Sequence, residues 1–185
     1  TVFGTYVVNY WVGAWMQVFS GEKFWPLDPR PDEVHITDIA HSLSLICRYN
    51  GHASRFVSVA EHCYRLSYAV EPEHARWALM HDAAEAYVGD MVRPLKQFMP
   101  EFSEVEDRVL AVIASRFGLA MPIPDAVHEA DTRYLLDERA AMLPNTRHPW
   151  GIEGLEPLGI EVTGMAPETA EVVFLSRFYE LFGNV

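Results

Sequence analysis

The stretch Ala75-Arg76-Trp77-Ala78-Leu79-Met80-His81-Asp82-Ala83-Ala84-Glu85-Ala86-Tyr87 decides the fold. Pro72 stands where a first helical turn tolerates proline, and Trp77, Ala78, Met80, Ala83 and Ala84 predict a heavily buried helical rod over 73–87, ended by Gly89 and Pro94. His81 and Asp82 are two adjacent polar residues inside that apolar rod. Burying both without partners is costly, and a first-row divalent ion relieves the cost because imidazole nitrogen and carboxylate oxygen are both good ligands. Neighbours on an α-helix point about 100° apart, so one ion between them needs its remaining ligands from other helices.

Working outward, Ser58 is a capping residue, and Val59, Cys63, Leu66 and Val70 recur at three- and four-residue steps. They predict a helix that carries His62. Thr37-Asp38 is an N-cap pair for a helix over 39–49, and further helices are expected over 103–117, 125–143 and 167–182. Pro26, Pro29 and Pro31 exclude a helix before the first of these. The β-branched and aromatic residues at 6–12 and 15–19, the Ser20-Gly21 turn and Lys23-Phe24-Trp25 predict a small N-terminal hairpin over about 5–25. Between Pro144 and Pro167, four prolines and four glycines preclude regular structure, while Trp150, Leu155, Leu158 and Ile160 argue against free solvation. This segment reads as a strap packed over the core, with a pocket lid as the functional alternative. The expected architecture is all-α in a single domain over 1–185. It comprises the hairpin (5–25), a helical core (37–143), and the strap with a C-terminal helix (144–185).

A chain of 185 residues with 50% hydrophobic content is enough for one substantial core. Its net charge of −12 leaves no basic stripe for a nucleic-acid polymer. A small phosphorylated ligand remains compatible, because a metal and a few placed cations reverse the field locally. Two cysteines, Cys47 and Cys63, form no disulfide framework and point to a reducing cytoplasm. The apolar first 19 residues are interrupted by Gly4, Asn9, Gly13 and Gln17 and lack a basic leader, so neither a signal peptide nor a membrane span is expected.

His62, on the preceding helix, and Asp131, within Glu129-Ala130-Asp131-Thr132-Arg133-Tyr134, are the natural suppliers of the missing ligands. A lone His, then His-Asp, then a distant Asp on successive helices resembles the HD-domain metal-dependent phosphohydrolases. The blocks Ser58-Val59-Ala60-Glu61-His62, His81-Asp82-Ala83-Ala84-Glu85, Gly89-Asp90 with Pro94 and Lys96, and Glu129-Ala130-Asp131 are similar to the small members acting on deoxynucleotides, namely phage dATP triphosphohydrolases and 5′-deoxynucleotidases. The resemblance covers about residues 20–142. It implies an HD-domain helical bundle with His62, His81, Asp82 and Asp131 as metal ligands. A His-His-Asp-Asp set suits Zn, Co or Mn, with additional Mg accompanying substrate phosphates. The resemblance also makes Glu85, one turn beyond His81 and Asp82, the residue that positions or deprotonates the attacking water.

For substrate, Asp90 resembles the aspartate that meets the deoxyribose, and Lys96 is a phosphate contact or a surface lysine. The segment Cys47-Arg48-Tyr49-Asn50-Gly51-His52-Ala53-Ser54-Arg55-Phe56 supplies what a nucleotide pocket needs: Arg48 and Arg55 for phosphate, His52, and Tyr49 for a base. Related 5′-deoxynucleotidases carry Arg-Trp near this place. Arg48-Tyr49 is the nearest match here, displaced by one residue and with Tyr for Trp. Arg55 reads equally as a solvated loop charge. The implied reaction is attack of metal-activated water on the α-phosphate of a dATP-like dNTP, releasing deoxynucleoside and triphosphate. The alternatives are hydrolysis of dNMPs, or a silent nucleotide-binding domain. A cyclic-nucleotide or dinucleotide phosphodiesterase fits less well, for want of additional His ligands. The family is usually homo-oligomeric, and the apolar hairpin and C-terminal helix offer surfaces for that. His41 and His128 read as hydrogen-bonded helix histidines, Cys63 as a core thiol, and Glu61 as ambiguous. Phe24 and Trp25 read as core, with the base pocket or a subunit contact as alternatives.

Overall fold

The computed structural model describes residues 13–183, so the part of the expected hairpin over 5–12 lies outside the described residues. Two short antiparallel strands are present, β1 (Met16–Gln17) and β2 (Lys23–Phe24), with Met16 opposite Phe24 and Gln17 opposite Lys23. Their turn is closed by Gly21 N–H donating to the Val18 carbonyl. The remainder is mostly helical: α1 (Ile36–Leu45), α2 (Val59–Ala69), α3 (Ala75–Met80), α4 (Glu85–Val88), α5 (Arg93–Lys96), α6 (Pro100–Phe117), α7 (Asp125–Met142) and α8 (Pro167–Phe182). No helix among the described residues is long and apolar enough to cross a membrane.

Helix α1 begins at Ile36, earlier than Thr37-Asp38 suggests, because Asp38 is engaged elsewhere. Its carboxylate accepts from Ser20 N–H at 2.7 Å and Ser20 Oγ at 3.0 Å, which latches the hairpin turn onto the helix. Ile36, Ile39, Ala40 and Leu43 then form its buried face at helical spacing. The helix stops at Leu45 rather than 49, since Ile46 and Cys47 are extended and Cys47 bridges Ser58. That bridge closes the base of the 48–57 loop, with Arg48 N–H on the Val57 carbonyl and Val59 N–H on the Ile46 carbonyl. Ser58 then caps α2, accepting from Glu61 N–H at 3.1 Å.

Helices α2, α3 and α8 pack against one another, and α1 lies against α8 and α2. Buried Arg177 fastens α8 to α2, donating from Nε to Ser67 Oγ and from Nη2 to the Ser67 carbonyl. The rod expected over 73–87 is interrupted. After α3, residues 81–84 form a tight turn with three-residue hydrogen bonds, from Ala83 N–H to Met80 O and from Glu85 N–H to Asp82 O, before α4 resumes. The interruption falls at the His-Asp pair and has a local cause. His81 Nδ1 takes the Ala78 carbonyl at 2.9 Å, so a side-chain donor occupies an acceptor on the preceding helical turn.

The segment 144–166 is held down by two acids from the core. Asp137 on α7 accepts from the N–H groups of Leu158, Gly159 and Ile160. Glu61 on α2, fully buried, accepts from the N–H groups of Thr163, Gly164 and Met165, from Thr163 Oγ1 and from Arg65 Nε. Gly164 is required at that crossing. Its φ is +69°, and a Cβ there would stand 2.7 Å from the Phe56 carbonyl oxygen.

Candidate metal centre

Four side chains from three places in the chain converge: His62 from α2, His81 and Asp82 from the tight turn after α3, and Asp131 from α7. His62 Nε2 is 3.1 Å from Asp131 Oδ1 and 3.9 Å from Asp82 Oδ2, while His81 Nε2 is 3.2 Å from Asp82 Oδ2 and 4.0 Å from Asp131 Oδ1. Each histidine is oriented through its other nitrogen. His81 Nδ1 meets a carbonyl, which only accepts, so Nδ1 carries the proton. His62 Nδ1 lies 2.9 Å from Glu138 Oε1, an ionised acceptor, and donates to it. Both Nε2 atoms are buried and have no hydrogen-bond partner. Two solvent-free imidazole nitrogens aimed at two carboxylates call for positive charge between them, supplied either by protons on the rings or by one shared cation.

The spacing fits that cation. Ligand bonds of about 2.1 Å place neighbouring donor atoms about 3.0 Å apart in octahedral geometry and about 3.4 Å in tetrahedral geometry. Two of the four separations, 3.1 and 3.2 Å, lie between those values and two, 3.9 and 4.0 Å, lie above them; His62, His81 and Asp131 are all within ligand range of one another, with Asp82 beside His81. A second grouping, Cys63 with His81 and Asp82, also lies within ligand range. It is less suited, because Cys63 Sγ approaches His81 on the Nδ1 side, at 3.9 Å, where the ring proton already serves Ala78. Burial also pushes the Cys63 thiol up to about 11, away from the thiolate that binds metals.

Burial opposes ionisation of Asp82, but His81 and His62 override it and hold the carboxyl down at about 2. Asp131 is likewise held below the ordinary range, against burial, by His62, His81 and Arg93. His81 moves the other way: burial disfavours its charge, yet Asp82 raises its affinity for a proton. Glu85, buried one turn beyond Asp82, is pushed well above an ordinary carboxyl by burial and then by Asp82 and Asp90. Its Oε2 is buried and unpartnered. In the three-residue turn, side chains at i and i+3 eclipse, so the backbone break brings Glu85 beside Asp82.

The chain is 38% identical over 170 residues to the uncharacterized protein YfdR of Escherichia coli K12, an alignment covering 91% of this chain and 96% of that protein. It belongs to the YfdR family. It is also 39% identical over 137 residues to the uncharacterized protein RCAP_rcc00048 of Rhodobacter capsulatus, covering 64% of this chain and 68% of that one. No family model matches the chain.

In this YfdR relative, the residue most tightly built into the centre is Glu138, which the sequence motifs do not single out. Fully buried on α7, it accepts from His62 Nδ1, from Arg48 Nε at 3.2 Å and Nη2 at 2.9 Å, and from Tyr49 Oη at 2.5 Å. Arg48 and His62 hold its carboxyl at about 2 despite burial. Its sequence signal is its position two helical turns after Asp131, which puts both carboxylates on one face of α7. The Tyr134 ring between them stacks on His62 at 4.9 Å.

A cavity of about 810 Å³ opens above the centre, lined by His81, Asp82, Glu85 and Asp131 and by Arg48, Tyr49, His52, Asp90 and Lys96 from the expected substrate set. Arg55 is corrected. It is exposed, is not among the residues that line the cavity, and lies against Gly164, whereas Arg48, Tyr49 and His52 of the same loop do line it. Arg48 reaches the cavity but gives Nε and Nη2 to Glu138, leaving Nη1 at 3.8 Å from Asp82. Lys96 pairs with Glu106, and Arg93, another lining residue that the sequence motifs do not mark, pairs with Asp131. His128 lines the cavity too, whereas His41 pairs with Glu171 at 3.0 Å, away from it.

Glu138→Gln tests the support this acid gives. Glutamine keeps the shape but loses the charge that orients His62 and neutralises Arg48. The expected result is a 10- to 100-fold weaker metal affinity, on the order of what a lost supporting contact to a ligand histidine costs. Competition of the purified variant against a chelating dye measures it, and wild-type affinity would show that His62 is oriented without Glu138.

Proposed function

We propose that this protein is a metal-dependent phosphohydrolase of the HD type acting on deoxynucleotides. The observation that carries the reading is the pair of buried Nε2 atoms of His62 and His81, neither in a hydrogen bond, that face Asp131 and Asp82 beside a cavity that Glu85 also lines. His62, His81, Asp82 and Asp131 would hold a divalent ion, which when bound would supply Lewis-acid activation of water and of a phosphoryl oxygen. Glu85, whose Oε2 is buried and makes no hydrogen bond on the same cavity as Asp82, accepts the proton of the attacking water. Arg48 presents Nη1 to the phosphate while Glu138 fixes the rest of the guanidinium. Asp90, half-buried and lining the cavity, accepts a hydrogen bond from a sugar hydroxyl.

The charge on the wall bears on which ester is cut. Asp82, Glu85, Asp90, Glu106, Asp107 and Asp131 face only Arg48, Arg93 and Lys96, and each of those cations already has a carboxylate partner. With Arg55 outside, little free positive charge remains for β- and γ-phosphates. A dNMP therefore suits this wall better than a dNTP, which would have to bring Mg with it. A panel of deoxy- and ribonucleotides at mono- and triphosphate level, with product identification, tests the reading. Deoxynucleoside plus orthophosphate from dNMPs is the expected outcome. Deoxynucleoside plus unbroken tripolyphosphate would restore the triphosphate substrate, and attack at a γ-phosphate or no hydrolysis at all would contradict the proposed chemistry.

A further inference from the structure

Of the exposed aromatic side chains, Trp150 stands in the cavity wall rather than on the outer surface. It is 39% exposed and comes from the strap, outside the stretch that resembles HD enzymes. It is held by its own small framework. The Arg139 guanidinium lies 4.8 Å from the centre of the indole ring, and Arg139 is not a lining residue, so it covers the face turned away from the cavity. Arg139 Nη1 bonds Glu153 Oε1 at 2.7 Å, and the same Glu153 carboxylate accepts from Trp150 N–H and Gly151 N–H at 2.5 and 2.9 Å. Arg139 Nη2 also bonds the His148 carbonyl at 3.2 Å. An indole fixed at its backbone, braced on one face and open on the other, loses little freedom when a flat ligand lies on it.

Its position relative to the metal centre is set through a continuous chain of contacts. Trp150 stands 6.2 Å from Tyr49, centre to centre, with the rings tilted by 43°. That opening is too narrow and too oblique for a base between the two rings, so a base would stack on the open indole face, with Tyr49 closing one edge. Tyr49 in turn bonds Glu138, which bonds His62. Tyr49 and Asn50 adopt φ of 57° and 50°, a left-handed conformation uncommon for such residues, and it is this turn that brings the Tyr49 ring toward the strap. Ile152, two residues on, and Leu143 also line the cavity and add apolar surface to it, in contrast to its acidic residues.

We propose that Trp150 is the stacking platform for the nucleobase and that the strap, not the helical core, sets base recognition. This rests on the nucleotide reading above. The chemistry that recognises an indole face beside an apolar wall is that of an aromatic heterocycle, while the charged end takes the phosphate.

The test compares binding of dAMP with binding of 2-deoxyribose 5-phosphate, which carries the same charged end and no base, by calorimetric titration of the metal-loaded full chain, each form also carrying Glu85→Gln so that dAMP is bound without being turned over. The two substitutions are Trp150→Leu, which keeps apolar bulk without an aromatic face, and Trp150→Phe, which keeps a face. The affinity ratio of dAMP to 2-deoxyribose 5-phosphate is expected to fall about 5- to 150-fold in Trp150→Leu, the loss of one stacked base, and to stay within a few-fold of wild type in Trp150→Phe. In the wild type, the indole N–H resonance that disappears in Trp150→Phe should shift on adding dAMP and not on adding the sugar phosphate. This readout does not depend on how well the leucine variant folds. An unchanged ratio in Trp150→Leu, equal wild-type affinities for the two ligands, or an unmoved resonance overturns the platform alone. If the wild type binds dAMP through Trp150 but hydrolyses no nucleotide, the platform stands and the hydrolase reading falls. If it binds neither ligand, both fall.

Discussion

Replacing Asp131 by alanine is expected to leave a folded protein that no longer retains its metal. Asp131 reaches the centre from α7, far along the chain from the His-Asp pair, and its Oδ1 is 3.1 Å from His62 Nε2. Outside the centre it has one prominent partner, Arg93, whose side chain is 58% exposed. Exposed ion pairs are worth at most about 1 kcal/mol, so the metal-free variant should unfold close to metal-free wild type. Metal affinity should fall by more than the 10- to 100-fold expected at Glu138, because a ligand atom is lost rather than a support for one. Metal content after dialysis, read beside thermal unfolding, separates the two effects. Wild-type metal content in a folded Asp131→Ala protein would remove Asp131 from the centre.

Glu85→Gln is expected to do the opposite, keeping metal and substrate while hydrolysis falls by about two to four orders of magnitude, the usual weight of a missing general acid–base. The substitution is close to isosteric. It removes a buried carboxyl whose ionisation is already disfavoured by burial and by Asp82 and Asp90, so it should not destabilise the fold. Turnover on dNMPs, with metal content measured on the same sample, decides the matter. Parallel losses of metal and rate would make Glu85 a ligand or a structural residue.

The candidate ligand residues were legible because their chemistry is local. A His-Asp pair in an alanine-rich helical stretch has no inexpensive explanation other than a partner of opposite character, and Ser58 announces the start of the helix carrying His62. The break at residues 81–84 was not legible. Alanine-rich sequence favours a continuous helix, and the competitor, the ring nitrogen of His81 on the Ala78 carbonyl, becomes available only once tertiary packing turns the ring that way. Glu138 was hidden for a related reason: its partners Arg48 and Tyr49 lie in a loop whose left-handed turn no residue type there demands. Arg55 shows the limit from the other side, since composition gathers charges into one loop without saying which of them faces the cavity. Glu61, adjacent to a proposed ligand and ambiguous in sequence, anchors the strap through the backbone N–H groups of residues 163–165.

The strap joins these observations. It is fastened to the core by Asp137 and Glu61, and through Trp150 and Ile152 it contributes to the wall of the cavity above the centre. The acidic floor and the apolar wall thus come from different parts of the chain, with Tyr49 between them.

Anomalous X-ray scattering at the zinc edge, from crystals of the zinc-loaded protein, tests the metal centre most directly. A single peak is expected within about 2.0–2.2 Å of the Nε2 atoms of both His62 and His81, with Asp82 and Asp131 completing the set. A peak bonded to Cys63 Sγ on the Nδ1 side of His81, or no peak between the two histidines, would contradict it.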